Sequence, residues 1–168
     1  NNIERRNRMN NEKESAWLEE FDELEEMARS RNSLQPLAMT CIYDALTYIY
    51  MDYSIDVKDI VSGLCNEPYE DCPLFVKQCM VSSVSHFHDV VDAFKPHLRN
   101  WRFERLPRLE QAILIQAYVH YYYVDDHVDK GVVIDIAVKL AKKYLSGKDY
   151  RFVNAILDNV LGERNANA

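Results

Sequence analysis

The chain has 168 residues, of which 48% are hydrophobic, with only four glycines, five prolines and a formal net charge of −7. That composition excludes a turn-rich β fold, favours helices around one substantial core, and argues against a general nucleic-acid binder. No run of about eighteen apolar residues occurs, and the polar start lacks the apolar segment of a secretory signal, so a soluble cytoplasmic protein is expected.

In chain order, residues 1–14 are polar, carry Arg5, Arg6 and Arg8, and predict a disordered arm. From Ser15 to Arg31 an extra amphipathic helix is predicted, with Trp17, Phe21, Leu24 and Met27 on one stripe and an acidic opposite face. The remaining helical domain is expected over residues 32–162, with 163–168 as a tail. Its first helix is predicted from about Leu34 to Asp52, facing inward through Leu37, Cys41, Ala45/Tyr48 and Ile49/Asp52. Asp56 reads as the N-cap of a short helix through Leu64, stopped by Asn66-Glu67-Pro68. A long helix is expected over about Asp71–Leu98. Its buried set is Leu74, Cys79, Val81, Val84, Phe87, Val91, Phe94 and Leu98.

Asn100–Arg105 reads as a short connector. Pro107 opens a helix that buries Leu109, Ala112, Ile113, Ile115/Gln116, Ala117 and Val119 before it dissolves into Tyr121-Tyr122-Tyr123. Asp125–Asp129 is a polar loop whose last residue reads as an N-cap. Gly131–Ser146 is the next helix, with Val133, Ile136, Ala137, Leu140, Ala141 and Tyr144 inward and Gly147 as its stop. A final helix, Tyr150–Leu161, buries Phe152/Val153, Ile156/Leu157 and Val160. No strand is predicted.

Charge is divided unevenly. Residues 1–94 hold 8 Lys/Arg against 18 Asp/Glu, whereas residues 95–168 hold 12 against 9. Five of those cations, Lys139, Lys142, Lys143, Lys148 and Arg151, fall within thirteen residues and are interleaved with Tyr144 and Phe152. Such asymmetry is a sign of a localised anion-binding surface, although lysines on a helix are also an ordinary solvated face. A second basic run, Lys95, Arg99, Arg102, Arg105 and Arg108, reads first as a solvated connector and second as an auxiliary phosphate surface.

Catalytic readings are weak. His86 and His88 are two positions apart and point about 200° apart on a helix, so they cannot chelate one metal from one face. Asp125, Asp126 and His127 lack supports from other segments. Cys65, Cys72 and Cys79 recur every seven residues without the close pair that zinc sites favour, and with Cys41 they read as reduced core residues. No phosphate-gripping glycine loop or nucleophile elbow is present. A non-enzyme without metal or cofactor is expected.

The stretch 100–161 resembles the carboxy-terminal half of the NusB family of RNA-binding transcription antitermination factors. Trp101, Leu109-Glu110-Gln111-Ala112-Ile113-Leu114, Ala137-Val138-Lys139-Leu140-Ala141-Lys142, Phe152-Val153-Asn154 and Leu157-Asp158 carry the likeness in order and spacing. Ala38-Met39-Thr40-Cys41 with Ala45-Leu46 resembles the family's first helix, and Lys95-Pro96-His97-Leu98 the close of its long helix. The likeness covers roughly residues 34–161. It implies an all-α fold of two small helical bundles joined through a long helix, here with an additional N-terminal helix.

What the resemblance implies for function is binding of single-stranded boxA RNA, with no DNA or membrane partner, often together with the ribosomal protein NusE in the elongation complex. It carries RNA contact onto Lys139, Lys142, Lys143, Tyr144, Lys148, Arg151 and Phe152, and partner contact onto Glu110. The family's arginine-rich segment is missing, because residues 33–40 hold no cation. Arg29 and Arg31, or Arg5, Arg6 and Arg8, are auxiliary candidates to replace it; the arm reads equally as a solvated tail. Ile115, His120 and Lys139 stand where the family has Arg, Glu and Glu, which puts the NusE contact in doubt. The alternative reading is a NusB-fold protein-interaction module that has lost boxA binding.

Overall fold

The computed structural model describes residues 15, 16, 18, 19 and 33–164. The chain divides into two units, residues 1–33 and 34–168. In the first, Ser15, Ala16, Leu18 and Glu19 are helical and exposed. The expected disordered arm, the packing of Trp17, Phe21 and Leu24, and Arg5, Arg6, Arg8, Arg29 and Arg31 lie outside the described residues, as does the end of the tail.

All regular structure among the described residues is helical. Residues 33–50 form α1, followed by α2 Val57–Cys65, α3 Leu74–Ser85, α4 Phe87–Phe94, α5 Arg108–Val119, α6 Lys130–Tyr144 and α7 Asp149–Val160. None of them is long and apolar enough to cross a membrane.

α1 closes in a Schellman arrangement. Tyr53 N–H reaches the Tyr48 carbonyl at 2.9 Å, Asp52 N–H reaches Ile49 at 3.2 Å, and Asp52 takes a left-handed φ of 56°. Its buried face is Ala38, Cys41, Ile42, Ala45 and Leu46, with Met39 beside them. Cys41 and Ala45 were expected there. Tyr48 and Asp52 were expected there too, but the helix ends before Asp52 and both are exposed. Asp56 caps α2 as expected, accepting from Asp59 N–H at 3.0 Å, and left-handed Asn66 ends it.

The expected long helix is two. It starts at Leu74 rather than Asp71, because Pro73 opens it, and His86 (φ −111°, ψ 18°) separates α3 from α4. One turn before the break, the Ser83 hydroxyl donates to the Cys79 carbonyl at 2.6 Å, a back-bond of the kind that bends helices. Val76, Cys79, Met80, Ser83, Val90 and Phe94 are inside, whereas Leu74 and Val81, expected to be buried, face out before the break. All four cysteines are free thiols; Cys41, Cys72 and Cys79 are buried and Cys65 half-buried.

α5 is the axis of the domain. It packs against α3, α4, α6 and α7, and every residue from Glu110 to Ala117 is buried. Encirclement on this scale forces polar side chains to find partners. Gln111 donates to the Leu106 carbonyl at 2.8 Å, and Gln116 to the carbonyl and side-chain oxygens of Gln35 at 3.1 and 2.8 Å, tying α5 to α1.

Beyond Val119 the helix widens into a π turn, His120–Val124, instead of dissolving into loop. Its tyrosines explain the difference. Tyr121 donates to the Gly162 carbonyl at 2.6 Å and Tyr122 accepts from Gly162 N–H at 2.8 Å, while Arg164 donates to the carbonyls of Tyr121, Asp125 and Val128. Asp129 precedes α6, but its side chain makes no capping bond; its carbonyl accepts from Val132 and Val133.

Candidate nucleic-acid interface

α6 and α7 pack together as a hairpin, and the turn between them positions the cations expected to meet RNA. Gly147 (φ +58°) makes that turn possible, since an L side chain is strained there. Leu145 N–H closes α6 on the Ala141 carbonyl at 2.9 Å, after which Lys148 stands at the head of α7.

The arrangement centres on a residue that the sequence reading left out. Lys142 Nζ lies 4.9 Å from the centroid of the Tyr150 ring, and the Arg151 guanidinium 5.9 Å from it. Arg151 Nε also donates to the Tyr150 hydroxyl at 3.4 Å. That bond and the Arg151 charge, with a smaller contribution from Lys142, hold the phenol below the usual tyrosine range. Two cations from different helices are therefore gathered on one aromatic ring. An aromatic beside a cation was the available signal, but Tyr150 is eight positions from Lys142, and only the hairpin brings them together.

The expected residues divide as follows. Lys142, Lys143, Tyr144, Lys148, Arg151 and Phe152 are exposed around the turn. Lys143 Nζ lies 5.3 Å from the Tyr144 ring. Tyr144 was expected to face inward and Phe152 to be buried, yet they are 39% and 37% exposed, because Ala141 and Val153 take the inward positions. Part of each side chain is therefore accessible from solvent. Lys139 is exposed too, but pairs with Asp135 at 2.9 Å. The Lys95–His97 turn packs on α7 and adds exposed Lys95 and His97 at its edge, with Lys95 held by Asp92 at 2.8 Å.

Glu110 is placed differently from an exposed contact residue. It is 4% exposed, and burial, reinforced by the Asp149 charge, raises its carboxyl to about 7. Ile115 and His120 are buried as well, and burial lowers the His120 imidazole below its usual range. His86, one of the tempting histidines, stacks on Tyr123 with ring centroids 4.1 Å apart. Among the described residues, no three His, Cys, Asp or Glu side chains are grouped to hold a metal.

The face is thus a cationic and aromatic surface on an acidic protein, suited to phosphates and unpaired bases. Comparison with known proteins agrees with the fold around it. Residues 75–162 match the NusB family model. The chain is similar to transcription antitermination protein NusB of Macrococcus caseolyticus, at 28% identity over 65% of this chain and 81% of that one. The NusB of Finegoldia magna is 34% identical over 56% and 67% of the two chains, and that of Bacillus velezensis 30% over 64% and 85%. A solved T. maritima NusB superposes with a TM-score of 0.64 over 77% of this chain and 89% of that one, at 18% identity, so it speaks to the fold alone. A family match across more than half of the residues, with relatives covered over two thirds of their length or more, makes this chain a member of the NusB family.

Proposed function

We propose that the chain binds single-stranded RNA of the boxA type and acts in transcription antitermination, in the cytoplasm and on ribosomal RNA operons. The observation that carries this reading is the convergence of Lys142 and Arg151 on Tyr150, flanked by exposed Lys143, Tyr144, Lys148 and Phe152. Cations there displace counterions from the phosphates, and the aromatic faces stack the bases. The net charge of −7 repels nucleic acid elsewhere on the molecule, so binding concentrates on this face. Relatives carry the name transcription antitermination protein, which supports the cellular role. A NusE-like partner would meet the surface around Glu110 rather than its carboxylate, which is buried.

Titration of boxA and scrambled single-stranded RNAs at two salt concentrations, with and without NusE, tests the reading. Changing Lys142, Lys143, Lys148 or Arg151 to Ala should weaken binding to all sequences and lower the salt slope by roughly 0.7 each. Tyr144→Ala or Phe152→Ala should cost about 1–3 kcal/mol with the slope unchanged. Absence of RNA binding in every combination would replace this reading with the protein-interaction module.

A further inference from the structure

A second combination of cation, aromatic ring and open space lies between α1 and the start of α5. Thr40, Tyr43, Pro107, Arg108 and Leu109 line a cleft of about 370 Å³. That volume is within the roughly 300–1,000 Å³ of small-molecule clefts. Tyr43 is 39% exposed at its wall. Arg108 is fixed across the two helices: Nη1 donates to Thr47 Oγ1 at 3.1 Å, and the guanidinium lies 5.6 Å from the centroid of the Tyr50 ring. Those contacts use part of a five-donor fork and leave N–H groups for an anion.

Three observations favour a nucleotide as occupant over a peptide. The lining sets one exposed aromatic ring beside one fixed guanidinium, the pair that stacking with phosphate contact requires, next to the apolar surface of Pro107 and Leu109. The exposed arginines 99, 102 and 105 lead along the connector to Pro107. α5, which begins at Arg108, also packs on α7, so one helix carries the cleft's guanidinium and supports the α6–α7 hairpin. No carboxylate lines the cleft. The nearest acids are Glu104, which acts on Tyr50, half-buried Asp44, and Glu110, whose burial disfavours its charge.

We propose that this cleft is a second RNA subsite, in which Tyr43 stacks a base and Arg108 binds a phosphate of the strand that crosses the α6–α7 face. It rests on the RNA-binding reading above. It also supplies positive charge beside residues 33–40, which have none of their own.

The test uses the full chain and a boxA-containing RNA with 4-thiouridine at successive positions. Irradiation should give a cross-linked peptide containing Tyr43, in addition to peptides from residues 139–152. Tyr43→Ala should weaken binding roughly 5- to 150-fold without altering the salt slope, the range expected for losing one stacked base. Arg108→Gln should lower the slope by roughly 0.7, and Arg108→Lys should keep it. Because Arg108 also bridges α1 and α5, thermal melts of both Arg108 variants accompany the titrations, and the cross-link needs no variant at all. Cross-links confined to residues 139–152, with Tyr43→Ala and Arg108→Gln binding as the unchanged chain does, would overturn the subsite and leave the α6–α7 reading standing. Failure of the unchanged chain to bind any RNA would overturn both.

Discussion

At Glu110, burial acts on the carboxyl to which the family resemblance assigns partner contact. Its pKa rises from 4.5 to about 7, chiefly through burial and secondarily through Asp149. In the unfolded chain the group ionises near 4.5, so between there and about 7 the folded state holds the extra proton, and stability falls as pH rises through that window. The cost is complete above pH 7. Glu110→Gln removes the charge and should stabilise the protein by about 1–3 kcal/mol at pH 8, with little change at pH 5. Urea melts at both pH values check this; an equal effect at each would mean that ionisation is not the cause. Single residues were also where the sequence was hardest to read. Phe152 was legible as both a core residue and a stacking ring, and only its 37% exposure separates the two. Tyr150 was overlooked because the cation–aromatic contact to Lys142 is made across a turn, where helical spacing carries no information.

Helices were legible wherever a local signal ended them. Asp56, Asn66 and Gly147 marked their boundaries because an N-cap acceptor or a left-handed backbone is a property of a few residues. The split at His86 was not legible, since Ser83 reads as an ordinary helical residue until its hydroxyl bonds back to Cys79. The π turn escaped for a similar reason: it depends on Gly162 and Arg164, some forty residues downstream. Gly147 is the element-scale hinge of the candidate site. A Cβ there would meet nothing within 4 Å, so the cost of Gly147→Ala is purely conformational. It should destabilise the protein by about 1–2 kcal/mol, the penalty for a left-handed L residue. If the strain is relieved by reshaping the turn, Lys148 and Arg151 move and RNA affinity falls as well. Urea melts and RNA titration on the same variant separate the two effects, and unchanged stability would refute the hinge role.

Over the whole molecule, the division of charge decides where an anionic strand can lie. The acidic first 94 residues repel it, while the exposed cations after residue 95 gather around the α6–α7 turn and along the connector to Arg108. That division was visible in the sequence; its convergence on one end of α5 required the fold. The arginines at positions 5, 6 and 8 are three of the eight cations within the acidic half. Residues 1–14 hold four Lys/Arg and three Glu, so removing them changes the net charge by one unit only. A long-range field would therefore barely respond to their loss, whereas direct phosphate contacts would. If Arg5, Arg6 and Arg8 each neutralise one phosphate, deletion of residues 1–14 should lower the salt slope by roughly 2 and weaken boxA and scrambled RNAs alike. Addition of NusE should not restore the slope, because a protein partner adds its own contacts rather than those arginines. A truncated chain that keeps both its affinity and its slope would assign RNA binding to the α6–α7 face and the Tyr43–Arg108 cleft without help from the arm.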